Sequence, residues 1–320
     1  MKSTAFRPPA WLPGGHAQTL WPLLIKPRPL KLRRERWETP DGDFIDVDHL
    51  DGPAGAPLLV LFHGLEGSSN SHYAISTARA CKKQGWRLAL PHFRGCSGEL
   101  NRRPRAYHSG DSAEIDWILQ RLQAANHGRR LHAAGVSLGG NALLKWAGEQ
   151  GEAANVRVTG VVALCAPLDL AACGHHLAHG FNRVYTQHFL KTLKAISAAR
   201  LRLHPGLFDE ERMLAALNLY QFDDAVTAPV HGFAGADDYW RRASAKPWLK
   251  SIRVPTLAVN PKNDPFLPAS YLPGKHEVSP QVRLEQPAGG GHVGFVSGPF
   301  PGNLDWLPQR LLHFFLFETS

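Results

Sequence analysis

Short apolar runs alternate with amphipathic stretches along most of the chain. Residues 56–64 (APLLVLFHG) and 158–167 (VTGVVALCAP) are almost wholly apolar, which is typical of strands buried on both faces of a sheet. Other stretches carry apolar residues three and four positions apart, as at Ile115, Ile118 and Leu122, and this spacing predicts helices. Strands that alternate with helices predict an α/β fold with a mostly parallel central sheet and helices on both faces.

The predicted elements can be placed along the chain. Two strands come first, joined by a turn at Pro40, Asp41 and Gly42. The following strands are predicted within 56–64, 86–95, 129–136, 158–167, 254–265 and 282–292. Helices are predicted within 71–83, 111–123, 140–150 and 307–317.

The alternation stops between Pro167 and Ser251, where two stretches have helical spacing and no strand is evident. These stretches are HHLAHGFNRVYTQHFLKTLKAIS and DEERMLAALNLY. We interpret residues 168–250 as a helical cap inserted into one domain that spans 1–320, with 1–30 as an amino-terminal extension.

Composition narrows the class of protein. The chain has 320 residues, 43% of them hydrophobic, which is enough for a large core without disulfides. Four cysteines without C-x-x-C spacing indicate neither a zinc site nor a disulfide framework. No run approaches the roughly 20 apolar residues of a membrane span. The first twenty residues lack the apolar core of a signal peptide, so we expect a cytoplasmic protein.

The formal net charge is +9, and six lysines and arginines lie between Lys26 and Arg36. Such a run can contact nucleic acid or the surface of an anionic membrane. The favoured interpretation is the solvated edge of a strand, because lysine and arginine protect sheet edges from pairing. Aromatic residues do not interleave with this run as in known nucleic-acid modules, so we expect no nucleic-acid partner. The sequence leaves the oligomeric state of the protein open.

The motif that points most directly to a catalytic residue is GVSLG at 135–139. An extendable run precedes it and helical spacing follows it, so Ser137 lies where a strand turns directly into a helix. This context is that of a nucleophile elbow, in which a sharp turn exposes the serine hydroxyl. The alternative is a glycine-rich turn without a catalytic role, and the other residues of the chain decide between the two interpretations.

A serine nucleophile needs a histidine base and a carboxylate that orients it, and in this kind of fold both follow the serine in sequence. Asp264 comes at the carboxyl end of a predicted strand, and we favour it as the acid. Asp169 also follows a strand, whereas Asp237 and Asp238 lie in the insertion; these three are the competing candidates. His292 follows the last predicted strand on a loop with three glycines, and it is the expected base.

Two backbone amides are expected to bind the oxyanion: Leu138, directly after the serine, and Leu65, in the loop HGLEG after a buried strand. His175, His176 and His179 form a cluster that could supply two metal ligands from one helix face. A polar helix face is the favoured account, so no metal is expected. No G-x-G-x-x-G motif follows a strand, and we expect no cofactor.

With these residues in place, the sequence resembles the α/β-hydrolase superfamily and, within it, the YheT-like branch of bacterial hydrolases and ABHD-type animal lipases. The segments that carry the resemblance to this branch are 6–22, 63–73, 93–99, 107–117 and 237–244. The resemblance implies Ser137 as nucleophile, Asp264 as acid and His292 as base, acting on carboxylic esters with short or medium acyl chains or on lipids. A serine at the elbow argues against dehalogenase and epoxide hydrolase chemistry, which uses a carboxylate nucleophile. A non-catalytic binding protein that retains the hydrolase fold is the alternative function.

Overall fold

A computed structural model describes residues 5–126 and 129–319. Within these residues the strands form one eight-stranded sheet with the order β1-β2-β4-β3-β5-β6-β7-β8. Strands β1 and β2 are antiparallel, as are β2 and β4, and all the other neighbours are parallel. The strands are β1 Arg33–Glu38, β2 Phe44–Leu50, β3 Leu58–Phe62, β4 Arg87–Pro91, β5 Leu131–Val136, β6 Val161–Leu164, β7 Thr256–Val259 and β8 Val282–Glu285.

The helices connect these strands and cover them. They are α1 Gly15–Leu20, α2 His72–Gln84, α3 Ser112–Ala125, α4 Leu138–Gln150, α5 Ala154–Arg157, α6 Leu170–Leu177, α7 Arg183–Leu203, α8 Glu210–Ala215, α9 Leu219–Phe222, α10 Ala228–His231, α11 Ala236–Ala243 and α12 Trp306–Phe317. Of the helices in the described ranges, none combines the length and apolar character needed to cross a bilayer.

The central strands β3, β5, β6 and β7 are buried at every position. Since side chains alternate between the two faces along a strand, the sheet is covered on both faces there. In β3, Val60 packs on one face against α3 and α4, whereas Leu61 packs on the other face against α2 and α12. The apolar runs of the sequence therefore correspond to strands with an apolar core on each side. The α/β architecture predicted from the sequence, with a mostly parallel sheet between helical layers, is confirmed.

Between β6 and β7 the chain forms only helices and turns, and all of these residues are described. Each of the two stretches with helical spacing is divided in two. The first ends at Leu177 and resumes at Arg183, and Gly180 between them has a φ of 56°, which a continuous helix does not allow. We call residues 168–250 the helical insertion.

The basic segment lies at the edge of the sheet. Three of its arginines, Arg33, Arg34 and Arg36, are on β1, and each forms an ion pair with an aspartate on or beside β2. Since β1 has no strand on its outer side within the described residues, these side chains lie at the exposed sheet edge. This arrangement is the one expected for charged side chains that protect an edge strand.

Candidate active site

Ser137 lies between the last residue of β5 and the first residue of α4, with φ 51° and ψ −121°. A non-glycine residue in this region carries strain of about 1–3 kcal/mol. The Ser137 N–H donates to the carbonyl oxygen of Leu164 at 2.8 Å, which ties the turn to β6. A Cβ atom at Gly139 would collide with the carbonyl oxygens of Phe62 and His63, so glycine is required where α4 begins.

Ser137, His292 and Asp264 form one hydrogen-bonded chain. The Ser137 Oγ lies 3.0 Å from His292 Nε2, and His292 Nδ1 lies 2.9 Å and 3.1 Å from the two carboxylate oxygens of Asp264. Because a carboxylate only accepts hydrogen bonds, Nδ1 carries the proton and Nε2 is free to accept the serine proton. The three side chains follow β5, β8 and β7, whose carboxyl ends lie at the same edge of the sheet.

Phe266 and the protein interior hold this chain in place. The Phe266 N–H donates to Asp264 Oδ1 at 2.8 Å, and its ring stacks on the His292 ring with 3.8 Å between centroids. The Asp264 side chain is only 2% exposed, whereas the His292 side chain is 10% exposed. The carboxylate is therefore shielded from water more completely than the imidazole.

The amino-terminal segment fixes the loop that carries His292, and sequence reasoning assigned no such role to it. Thr19 Oγ1 accepts the backbone N–H of His292 at 2.8 Å. Gln18 Oε1 accepts the N–H of Gly290 at 2.7 Å and the side-chain amide of Asn263 at 3.0 Å. Gln18 and Thr19 lie in the segment HAQTL, part of the motif that carries the resemblance to the branch, and this motif was the one available signal.

The two amides expected to bind an oxyanion are both free in the described part of the chain, where no acceptor pairs with the N–H of Leu65 or Leu138. Both residues line the same cavity as Ser137. Gly64 lies so close to the serine that an added Cβ would be 3.2 Å from Ser137 Cβ. The loop after β3 therefore passes directly beside the serine.

His63 stabilises that loop as a neutral imidazole. Burial lowers the pKa of His63 to about 3, so the ring is uncharged at neutral pH. With Phe93 N–H donating to His63 Nε2 at 3.0 Å, the ring proton is on Nδ1, which donates to the Gly64 carbonyl oxygen at 2.7 Å. The ring thus links the loop after β3 to the loop after β4.

A cavity opens at Ser137 and extends under the helical insertion. It encloses about 1100 Å³ of empty space, its open mouth included. Its walls are mainly apolar and come from the central domain and from α6, α7 and α9. The apolar lining residues include Leu138, Leu170, Leu177, Phe189, Leu193, Ile196, Leu219, Phe222, Val226, Trp240 and Phe266. Such a surface favours an apolar chain over a highly polar substrate.

The competing acids have other partners. Asp169 caps α6 by accepting the N–H of Ala172 at 3.0 Å. Asp237 accepts the hydroxyl of Tyr220 at 2.8 Å, and Asp238 forms ion pairs with arginines of α11. None of these three carboxylates contacts His292 in the described residues, so the structure brings together Asp264 and His292 alone.

The histidine cluster does not converge on a metal site within residues 5–126 and 129–319. His179 Nδ1 bonds the carbonyl oxygen of His175 at 2.7 Å. The group of potential ligands that does converge is Cys165, Asp264 and His292, whose ligand atoms lie within 4.8 Å of one another. Asp264 and His292 bind each other, and Cys165 Sγ accepts the N–H of Val293. Burial raises the pKa of the Cys165 thiol, which opposes the thiolate form that a metal needs.

Comparison with known proteins concerns the family of the chain. Residues 57–299 match the family described as the alpha/beta hydrolase fold. The chain is 40% identical to YheT of Escherichia coli (strain K12), which is named provisionally as an esterase, over 97% of this chain and 92% of YheT. It is 27% identical to Phospholipase ABHD3 of Mus musculus, over 97% of this chain and 77% of that protein.

Solved structures give the same fold. The esterase EaEST from Exiguobacterium antarcticum superposes with a TM-score of 0.55 at 19% sequence identity, covering 88% of this chain and 99% of the esterase. At this identity the likeness concerns the fold alone. Together with the sequence matches, it leads to one conclusion: the chain belongs to the α/β-hydrolase superfamily and, within it, to the branch that contains YheT.

Proposed function

We propose that this protein is a serine hydrolase that cleaves carboxylic esters through an acyl-enzyme on Ser137. The single observation that carries the proposal is the hydrogen-bonded chain of Ser137, His292 and Asp264 at the floor of an apolar cavity. Relatives named as an esterase and as a phospholipase support ester hydrolysis in general.

In the proposed mechanism, His292 Nε2 takes the proton of Ser137 as Oγ attacks the ester carbonyl carbon. The amides of Leu65 and Leu138 donate to the oxygen of the tetrahedral intermediate; in other enzymes each such donor is worth about 10²–10³ in rate. Asp264 holds the imidazole in the reactive tautomer and stabilises its cation. The imidazolium then protonates the leaving alcohol, and a water molecule, deprotonated by His292, releases the acid from Ser137.

We also propose that three parts of one domain have different roles. The sheet and its covering helices supply the three reacting side chains, the helical insertion at 168–250 caps the cavity, and the extension at 1–30 supports the His292 loop. The cap contributes most of the apolar wall, so we propose esters with short or medium acyl chains, or lipids, as substrates.

The test is covalent labelling combined with kinetics. A fluorophosphonate should modify Ser137 alone, as located by mass spectrometry of the pure protein. Ser137→Ala should abolish labelling and lower ester hydrolysis by roughly 10⁴–10⁶-fold, because the nucleophile is lost. Ser109→Ala is the matched control, since Ser109 lines the same cavity and its hydroxyl has no imidazole partner in the described residues. Labelling at another residue, or undiminished turnover of Ser137→Ala, would leave a binding protein with the hydrolase fold as the better account.

A further inference from the structure

Arg200 interrupts an otherwise apolar wall of the cavity. It lies near the end of α7, and Phe189, Leu193 and Ile196 of the same helix face also line the cavity. The spacing of these positions places them along one face of a helix. The guanidinium lies in the cavity wall against the loop after β4, where an added Cβ at Gly95 would be 3.4 Å from an Arg200 terminal nitrogen.

This guanidinium has no protein partner in the described residues. Arg200 is only 6% exposed, yet within the described ranges its side chain has no hydrogen bond and no carboxylate at ion-pair distance. An arginine stays charged at any physiological pH, and the Arg200 nitrogen atoms each keep some surface open to the cavity. Their N–H groups are therefore free to bind an anion that enters the cavity.

The nearest acid does not supply that anion. Glu66 also lines the cavity, but it accepts the hydroxyl of Tyr107 at 2.7 Å and forms no ion pair with Arg200. Burial raises the pKa of Glu66, which favours its neutral form. Tyr107 and Cys96, which also lie near Arg200, are neutral at physiological pH because burial raises their pKa values as well. The charge of Asp43 also acts on Arg200, but this carboxylate is bound by Arg94 at 3.0 Å.

Arg94 is an arginine of the same cavity whose guanidinium has ion-pair partners. It is as buried as Arg200 and lines the same space, but its guanidinium binds Asp41, Asp43 and Glu114 at 2.7–3.2 Å. The fold therefore places acids in contact with the Arg94 guanidinium but not with the Arg200 guanidinium.

We propose that Arg200 binds an anionic oxygen group, a phosphate or a carboxylate, on the ester substrate. This inference rests on the proposed ester hydrolysis and defines its substrate class further. In the bound substrate, an apolar chain lies along the wall formed by α7, and the anionic group contacts the Arg200 guanidinium. Planar guanidinium groups suit both anions, since each presents two oxygens to the paired N–H groups.

The kinetic test uses p-nitrophenyl esters of equal length whose acyl chain ends in a methyl ester, a carboxylate or a phosphate. Arg200→Met should lower kcat/KM for the preferred anionic ester by about 10–100-fold, the usual range for hydrogen bonds to a charged group. The methyl ester should change by less than about twofold, because it makes no such bond. Arg200→Lys should retain part of the preference. Arg202→Met, at an exposed position of the same helix, is the control and should alter none of the three.

The three esters also identify the anion. Loss confined to the phosphate ester assigns Arg200 to phosphate, and loss confined to the carboxylate ester assigns it to carboxylate. An equal loss on all three esters, or no loss on any, overturns the inference, while Ser137-dependent turnover of the methyl ester would leave the proposed function standing.

A binding measurement separates the two proposals completely. Isothermal titration of Ser137→Ala with hexyl phosphate and with hexanoate needs no catalysis. We expect at least one of them to bind, and binding to weaken at least tenfold when Arg200→Met is added. If neither binds, or if the double variant binds as tightly, the inference is wrong even where ester hydrolysis is established. Failure of all hydrolysis with Arg200-dependent binding would instead refute the proposed function and retain the anion site.

Discussion

Replacing Gln18 by leucine should weaken catalysis from a position that touches no substrate. Gln18 is only 3% exposed and its side chain makes three hydrogen bonds. It accepts from Gly290 at 2.7 Å and from Asn263 at 3.0 Å, and it donates to Leu12 at 2.8 Å. Leucine has a similar volume but leaves all three groups without this partner.

The magnitude follows from those bonds. A buried polar group that loses its partner costs about 1–3 kcal/mol, so we expect the free energy of unfolding to fall by about 2–4 kcal/mol. For a domain of 320 residues the Tm should fall by about 3–6 °C. The freed Gly290 N–H lies two residues before His292, and a displacement of about 1 Å at a reacting group can cost 10²-fold in rate. We therefore expect kcat to fall by about 10–100-fold.

The assay is steady-state ester hydrolysis well below the Tm, with thermal unfolding measured on the same samples. Leu119→Ala is the matched control, because this core leucine does not line the cavity and its loss should cost about 2–5 kcal/mol. We expect the control to lose stability but to keep kcat. If Gln18→Leu also keeps kcat, or if the control loses as much, then the amino-terminal segment does not position His292.

Two further predictions concern acids. Asp264→Asn should leave the protein folded and lower kcat by up to about 10⁴, because the imidazole loses its orienting partner. Asp169→Asn should lower kcat much less and leave stability nearly unchanged, because asparagine caps a helix about as well as aspartate. Kinetics and thermal unfolding of both variants check this, and the reverse order of effects would place the acid after β6. Burial raises the pKa of Asp223 from 3.8 to about 6. Its folded state therefore retains a proton that the unfolded chain releases, so its contribution to stability is lost as pH rises from about 4 through about 6. Urea unfolding across this range should show Asp223→Asn gaining stability relative to the native protein as pH rises, and a constant difference would contradict the assignment.

Local sequence predicted the strands of the sheet and the positions of the proposed reacting groups. Apolar runs bounded by glycine and proline correspond to strands β3, β6 and β7, because a strand buried on both faces needs apolar side chains at every position. The strand–serine–helix pattern located Ser137, and the carboxyl ends of later strands located Asp264 and His292. These are local features, or features of strand order, so periodicity and spacing suffice to predict them.

Tertiary structure alone decided what surrounds those groups. Gln18 binds Gly290 across 272 positions of sequence, and no periodic pattern encodes such a pair. Arg94 and Arg200 are the same residue type, and only the folded chain shows that the first forms ion pairs with acids and the second forms none in the described residues. Burial and partners belong to the assembled core, because they depend on contacts that form only when distant segments meet.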